Sequence, residues 1–584
     1  MGRFNLLDEP WISVLPADTD EKRDISLLEL FRHAENYQTL AGEMETQNFA
    51  VMRFLLAVVQ TVLSRFDLDG NLLPGVSVDE RWIQTEAVDE DDQEDYCETA
   101  QNEWAALLKR GSFPDVIVRY LEKWRDRFYL FDEEHPFCQV NQREMDAIMK
   151  KIPKRSQPTT IYGKNLNRTI SESENKPALF TPIAPSAKKD RSSKDLLTEA
   201  ELIRWLLTFQ GYSGLADKVS LAAEHQRSSK GWLFDLGGIC LKGENVFETI
   251  ALNYLPGSPR GIADHDFAGA IQRPCWEMIG SEVVSRLCAS VFIDNLAELY
   301  TNWSRAVYID PTLNQNEPAT VHVVKLPEIE HTEQSLEPMT LWRGNEAGPN
   351  KGHQTPKKHV PEQALWRSFG LITMDMTPDH KAQKRPGVFL QFQRLSRTAG
   401  SRLIDLAGIS MQDDGNATSW LPVDEISDQL RINDLVVTDT DPKGWITWIN
   451  NAVETTKEVA SVIFRSYLIG ICEVRDLKVS NPMDAAAAGF IQREIAALYA
   501  DIDPAFKEWL AAIQPEDEKE EKVSEWYVYL RRLTLAHGEA LFRSSTARDL
   551  TGIEKEGKAE NVATVYWSFI GKLSRKLGRR ECVE

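Results

Sequence analysis

Paired cysteines are missing from this 584-residue sequence. The seven that occur, Cys97, Cys138, Cys240, Cys275, Cys288, Cys472 and Cys582, are scattered, odd in number and never spaced C-x-x-C. That pattern argues against a disulfide framework or a zinc ribbon and leaves reduced, mostly buried thiols as the expectation. H-E-x-x-H, G-x-S-x-G and Walker A boxes are absent too. Gly238 to Gly243 has the glycine spacing of a phosphate loop, but Glu244 stands where its lysine is required. The opening MGRFNLLDEPW has no apolar h-region and carries acids by its eighth residue, so neither a secretory nor a transit peptide is expected and the chain reads as cytoplasmic. Long apolar runs are lacking, since Phe49 to Leu63 is interrupted by Arg53 and Gln60, and no membrane span is expected.

Positive charge is scarce overall, with 67 Lys and Arg against 89 Asp and Glu and a net charge of −22. Taken alone, that field repels a polyanion. The distribution says otherwise. Acids concentrate in two runs, Asp89 to Asp95 and Glu516 to Glu521, which read as solvated loops. Three tracts have no acid at all: Lys150 to Ile170, with Lys150, Lys151, Lys154, Arg155, Lys164 and Arg168; Ala347 to Pro361, with Lys351, Lys357, Lys358, His353 and His359; and Lys381 to Arg402, with Lys381, Lys384, Arg385, Arg394, Arg397 and Arg402. Arg575, Lys576, Arg579 and Arg580 close the chain. Any one tract is explained by a solvated surface; their recurrence favours phosphate neutralisation, in which each cation facing a nucleic-acid backbone releases condensed counterions.

The fold class expected is α+β, mostly helical: a large mixed N-terminal domain over 1–435, followed by a C-terminal four-helix bundle over 436–584. Apolar residues at helical spacing predict a core helix over Thr46 to Phe66, with Thr46 as its cap. Cys97 to Leu130 reads as helical with a break at Gly111 to Pro114, and Leu197 to Phe209 as a helix delivering the turn Gln210-Gly211-Tyr212-Ser213-Gly214. Gly231 to Gly238 and Val246 to Leu255 read as strands, Lys150 to Ala184 as a long functional loop, Pro338 to Lys358 as irregular, and Gln412 to Thr418 as a compact turn. Beyond Lys443 helices alone are expected, the first marked by Trp445, Ile449, Ala452, Thr456, Val459, Ile463 and Tyr467.

These features occur in a telling order: Phe4-Asn5-Leu6-Leu7-Asp8-Glu9-Pro10-Trp11-Ile12, Glu134-His135-Pro136-Phe137, Gly211-Tyr212-Ser213-Gly214, Gln272-Arg273-Pro274-Cys275-Trp276-Glu277, Gly415-Asn416-Ala417-Thr418-Ser419, then the closing helices. The chain resembles, over essentially its whole length, the large (CasA-type) subunit of the type I-E CRISPR surveillance complex, Cascade. The resemblance implies a protein without catalysis or cofactor. It implies partners too: the crRNA-bearing assembly with its backbone, small and crRNA-capping subunits, double-stranded target DNA, and the CRISPR helicase-nuclease. Its implied task is to examine duplex DNA for the protospacer-adjacent motif and help open it, while base pairing with the guide reads the sequence.

Carried over residue by residue, the resemblance places a glycine loop at Gly211, Tyr212, Ser213 and Gly214, and a second loop at Gly415, Asn416 and Ala417, with Asn416 as the wedge beside the first base pair. The basic residue that reaches the motif corresponds to Arg343 or Lys351, and the loop contacting motif-proximal nucleic acid lies within Lys150 to Thr169. Readout from the minor groove is degenerate and tolerates several motif variants. Some relatives carry metal-binding cysteine pairs that this chain lacks, and its glycine loop holds two glycines rather than a longer run.

Two readings from other classes stand beside this one. Asp264-His265-Asp266 contains the His-Asp pair of metal-dependent phosphohydrolases, with His265 and Asp266 as ligands, although such a site needs further histidines and an aspartate around it. The other is a purely structural subunit whose basic tracts hold guide RNA or partner proteins.

Overall fold

A helix over Glu45–Leu63 runs through the core with 17 of its 19 residues buried. By length and apolarity it is able to cross a membrane; what excludes that here is a coat of protein on all sides. The computed structural model describes residues 2–152, 157–173, 196–215, 219–221, 229–256, 269–313, 317–329, 336–375, 384–395, 402–416, 420–480, 482–555 and 558–578.

Two compact units emerge. The first comprises Met1–Pro361, Ala382–Leu395 and Leu406–Asp428; the second, Glu362–Lys381, Ser396–Asp405 and Gln429–Glu584. Both helix and small sheets build the first unit, so the architecture is α+β as expected.

In the first unit the buried helix and the residues just past its end carry two arginines into the core. Arg53 meets Glu337 in a bidentate pair at 2.7 and 2.8 Å, and the same carboxylate accepts Trp232 Nε1–H at 2.6 Å and the Met339 N–H at 2.9 Å. Two residues past the helix end, Arg65 pairs with Glu277 at 2.7 and 2.9 Å. A lone buried charge is prohibitive, and these fork-to-fork pairs with satisfied lone pairs are what make the burial tolerable. The Glu337 carboxyl is pushed up by burial, but Arg53 and the two N–H donors outweigh this and hold it below the usual range.

Thr46 is not the cap of this helix. Met44 occupies that position without a side-chain bond, and Thr46 lies in the first turn, fully buried. The capping acceptor is the distant carboxylate of Glu425, which takes the N–H groups of Glu45 and Thr46 at 3.3 and 2.9 Å. A negative group there also complements the positive end of the helix dipole.

Elsewhere several short segments differ from expectation. Val246–Asn253 is a helix, not a strand, capped by Asn245 whose Oδ1 accepts the Glu248 N–H. Trp232–Asp235 is a 3-10 turn, and the strand beyond it, Gly238–Lys242, is where the phosphate-loop spacing falls. Thr159–Tyr162, read as loop, is a strand paired antiparallel with Thr320–Lys325, which also pairs Arg305–Ile309. A helical turn over Asn165–Thr169 follows; 174–184 lies outside the described residues. Pro338 to Lys358, read as irregular, contains a hairpin of Trp342–Gly344 and Gln354–Pro356.

The second unit holds four long helical stretches: Trp445–Glu458 continuing through Val459–Phe464 into Arg465–Val474, then Ala485–Ala511, Lys519–Arg543 and Val562–Leu577. They pack as the expected four-helix bundle around Phe464, Tyr467, Phe506, Trp526 and Phe569, all buried. Trp526 Nε1–H donates to Thr456 Oγ1 at 2.8 Å, which spares the indole an unsatisfied donor in that apolar layer.

Candidate nucleic-acid interface

Gly211 and Tyr212 close the helix Glu199–Tyr212 rather than forming a free loop, and Ser213 is its C-terminal cap. Neither glycine of the Gly211 to Gly214 segment has a positive φ. Their smallness is used for approach instead. A Cβ on Gly214 would stand 2.2 Å from the Trp420 carbonyl oxygen, and one on Gly211 would meet Leu233 at 2.8 Å. Tyr212 and Ser213 are buried, and Ser213 Oγ lies 3.1 Å from Ser304 Oγ.

Trp420 lies just past the second predicted loop. Its N–H donates to the Asn416 carbonyl at 2.8 Å, closing the turn between the strands Leu403–Asp413 and Pro422–Asn433. Gly415 at the turn's apex has φ +67°, with open space where a Cβ would be. Gly415 and Asn416 are exposed, whereas Ala417 lies outside the described residues. Two aspartates shape the apex: Asp413 Oδ1 accepts the Gly415 N–H at 2.9 Å, and Asp414 Oδ1 accepts those of Asn416 and Leu421, each at 3.1 Å. The structure thus brings the two predicted loops together, with Gly214 directly beneath the Trp420 end of the turn.

The chain leaving the hairpin that bears Arg343 and Lys351 reaches the same neighbourhood through Lys358. Both side chains are exposed, Arg343 on the first strand opposite Thr355 and Lys351 at a tip bent by Gly348 and Gly352 at φ +79° and +87°. The chain leaving the hairpin delivers Lys358, which donates to Asp413 Oδ2 at 2.8 Å and lies 3.8 Å from Asp235. Asp235 also pairs with Lys230, whose ammonium sits 5.3 Å from the Trp420 ring centre. Desolvation lowers the Lys358 pKa against the opposing pull of Asp235 and Asp413.

Of the first basic tract, Lys150 and Lys151 are exposed at the end of the helix Gln142–Lys150, and Lys164 and Arg168 are half-buried beyond the strand Thr159–Tyr162. Lys154 and Arg155 lie outside the described residues. Just past the tract begins a buried relay to the glycine segment: Glu172 receives Arg305 Nε–H at 2.5 Å, and Arg305 Nη2 donates to the Gly214 carbonyl at 2.7 Å.

The tract Lys381 to Arg402 is less uniform than its composition implied. Lys384 lies over Trp342 at 3.8 Å, Arg385 bonds Gln393 at 3.0 Å, and burial lowers the Arg394 pKa. His265 and Asp266 lie outside the described residues, and no group of three or more His, Cys, Asp or Glu is placed to hold a metal among those described.

The family model for CRISPR-associated protein Cse1 matches residues 5–537. The chain belongs to the Cse1 family. Among its relatives, the CRISPR-associated protein CasA/Cse1 of Thermus thermophilus is 26% identical over 285 residues, a stretch covering 48% of this chain and 43% of that relative's length. The crystal structure of Thermobifida fusca Cse1 superposes with a TM-score of 0.70 at 20% identity, covering 98% of each chain. A chain from a CRISPR RNA-guided surveillance complex superposes with a TM-score of 0.63 at 14% identity, covering 98% of this chain and 100% of that one. At such identities the likeness of this Cse1-family chain to the solved structures establishes the fold.

Sequence reasoning named the two loops but not the residues that join them. Lys358 was visible only as part of a basic tract and Lys230 not at all. Asp413 had a local signal, since an Asp two residues before a glycine is the usual acceptor of a turn N–H.

Proposed function

We propose that this chain is the non-catalytic large subunit of a cytoplasmic type I-E surveillance complex, which examines double-stranded target DNA for the protospacer-adjacent motif. The observation that carries this is the close packing, in one unit of a Cse1-family chain, of the exposed Gly415–Asn416 turn on the Gly211 to Gly214 segment, with Lys358, just past the Arg343 and Lys351 hairpin, bonded to the base of the turn. An exposed amide at the apex of a narrow turn suits entry into a minor groove, and cations beside it suit the flanking phosphates.

In this reading Asn416, in the loop it forms with Gly415 and Ala417, is the wedge beside the first base pair, Gly211 to Gly214 seat the turn, and Arg343 or Lys351 reaches the motif. Lys150, Lys151, Lys164 and Arg168, with Lys154 and Arg155, track the nucleic-acid backbone. Residues 1–435 carry the reading, and the bundle, 436–584, meets the displaced strand, the small subunits and the helicase-nuclease. Opening of the duplex at the turn then lets the guide pair and form the R-loop. The test is reconstitution of the complex with Lys351→Ala or Arg343→Ala, followed by duplex binding across salt concentrations. Loss of a motif contact lowers affinity and reduces the salt slope by about one; an unchanged slope in both variants contradicts the assignment.

A further inference from the structure

We propose that Lys358 is a positioning residue that holds the Gly415–Asn416 turn in its reading geometry through the carboxylate of Asp413. The proposal rests on the motif-reading function above and deepens it. Asp413 divides its two oxygens between two jobs. Oδ2 takes the Lys358 ammonium at 2.8 Å, and Oδ1 takes the Gly415 N–H at 2.9 Å. The lysine therefore fixes the rotation of the carboxylate, and the carboxylate fixes the apex of the turn.

The surroundings favour a strut over a solvent-facing cation. Lys358 and Asp413 are 22% and 18% exposed, so neither points its charge freely into water. Asp235, 3.8 Å from the ammonium, keeps the lysine within a cluster that also includes Lys230. The Lys358 ammonium lies 4.0 Å from the Phe234 ring centre, a face that further restricts where it can swing. The next residue is anchored too: the His359 N–H donates to Ser410 Oγ at 3.1 Å, and His359 Nε2 stands 2.9 Å from the Gly238 carbonyl. Backbone and head group of Lys358 are thus held from both ends, one by the sheet and one by the turn.

The Gly415 N–H is held from the base of the turn. A Cβ at Gly415 would touch nothing, so the apex conformation depends on hydrogen bonds from its own base. A charge-assisted contact in a partly desolvated site is stronger than a neutral one. Lys358 in this account never touches DNA; it acts through Asp413 on Asn416, and it couples the Arg343 and Lys351 hairpin to the turn.

The experiment uses the fully assembled complex carrying Lys358→Met, with Asn416→Ala and Asp413→Asn/Lys358→Met made alongside. Affinity is measured for duplex with the cognate flanking motif and for the same duplex with that motif scrambled, and amide exchange is followed at 413–416. Lys358→Met is expected to lower the ratio of the two affinities by about tenfold, the size of one charge-assisted hydrogen bond. Exchange at Gly415 rises while scrambled-duplex binding stays put. The double variant is expected to be no worse than Lys358→Met, because both act on one contact. A ratio unchanged by Lys358→Met but lost in Asn416→Ala overturns the positioning role alone. A ratio unchanged in both overturns the motif-reading function as well. A uniform loss on both duplexes with unchanged Gly415 exchange marks Lys358 as a direct phosphate contact and also overturns the proposal.

Discussion

Glu425 Oε2 accepts both the backbone N–H and the hydroxyl of Thr46, each at 2.9 Å, across 379 residues of sequence. The strand that leaves the Gly415 turn is thereby fastened to the N-terminus of the buried core helix Glu45–Leu63. Removing the carboxylate with Glu425→Ala leaves helix donors without their acceptor and is expected to cost about 1–2 kcal/mol. Urea denaturation against the parent chain checks this, and Glu425→Gln should recover part of the loss.

The buried pair Arg53 and Glu337 gives a sharper contrast. Arg53→Met strands a carboxylate that is 0% exposed, and the expected loss is about 3–5 kcal/mol. Adding Glu337→Gln removes the stranded charge while retaining an oxygen for one of the two N–H donors, Trp232 or Met339, so the double variant is expected to be more stable than Arg53→Met alone. A double variant weaker than the single one contradicts the assignment of charge burial as the cause.

Gly415 distinguishes conformation from space. Its φ of +67° lies in the left-handed region, with nothing near a prospective side chain. Gly415→Asn is expected to cost under about 1 kcal/mol, since asparagine visits that region, whereas the β-branched side chain of Gly415→Val should cost about 1–2 kcal/mol. Thermal melting of the two variants decides; equal losses point to a steric origin that the open surroundings exclude.

Stability should also depend on pH through His359. Burial depresses its imidazole pKa below 6.5, against a smaller upward pull from its bond to the Gly238 carbonyl. The unfolded chain binds that proton more readily than the folded one. Its contribution is therefore complete above about pH 6.5 and declines as the pH falls below it. Melting temperatures recorded from pH 8 to pH 5 are expected to drop less steeply in His359→Gln, which keeps an N–H donor but does not titrate. Identical slopes contradict the prediction.

How far the sequence reveals this molecule depends on how local each cause is. The bundle helices were legible because Trp445, Ile449, Ala452 and Val459 repeat at helical spacing, and the bends at Gly111 and Gly415 because glycine alone adopts their positive φ cheaply. The strand Thr159–Tyr162 was not legible, since four residues acquire their structure from Thr320–Lys325, far along the chain. Thr46 was misread for the same reason: its cap comes from Glu425. The helix Val246–Asn253 is a different case, where Asn245 and Glu248 supplied a local capping signal that the alternation of apolar residues obscured.

At the interface, the residue types were legible and their use was not. Gly211 and Gly214 looked like part of a turn and turned out to permit close packing against Leu233 and the Trp420 carbonyl. Recurrent lysines looked like phosphate contacts, yet Lys358 is engaged by Asp413 and Asp235. Pairings of this kind join segments far apart in sequence, and no spacing rule contains them.

The central claim is that Asn416, on its exposed turn, reads the motif beside the target. It is tested most directly by assembling the complex with Asn416→Ala and measuring its affinity for duplex with and without the cognate flanking motif. The account predicts intact assembly, unchanged binding to duplex lacking the motif, and a loss of about tenfold or more on motif-bearing duplex. Full retention of motif-dependent binding would contradict it.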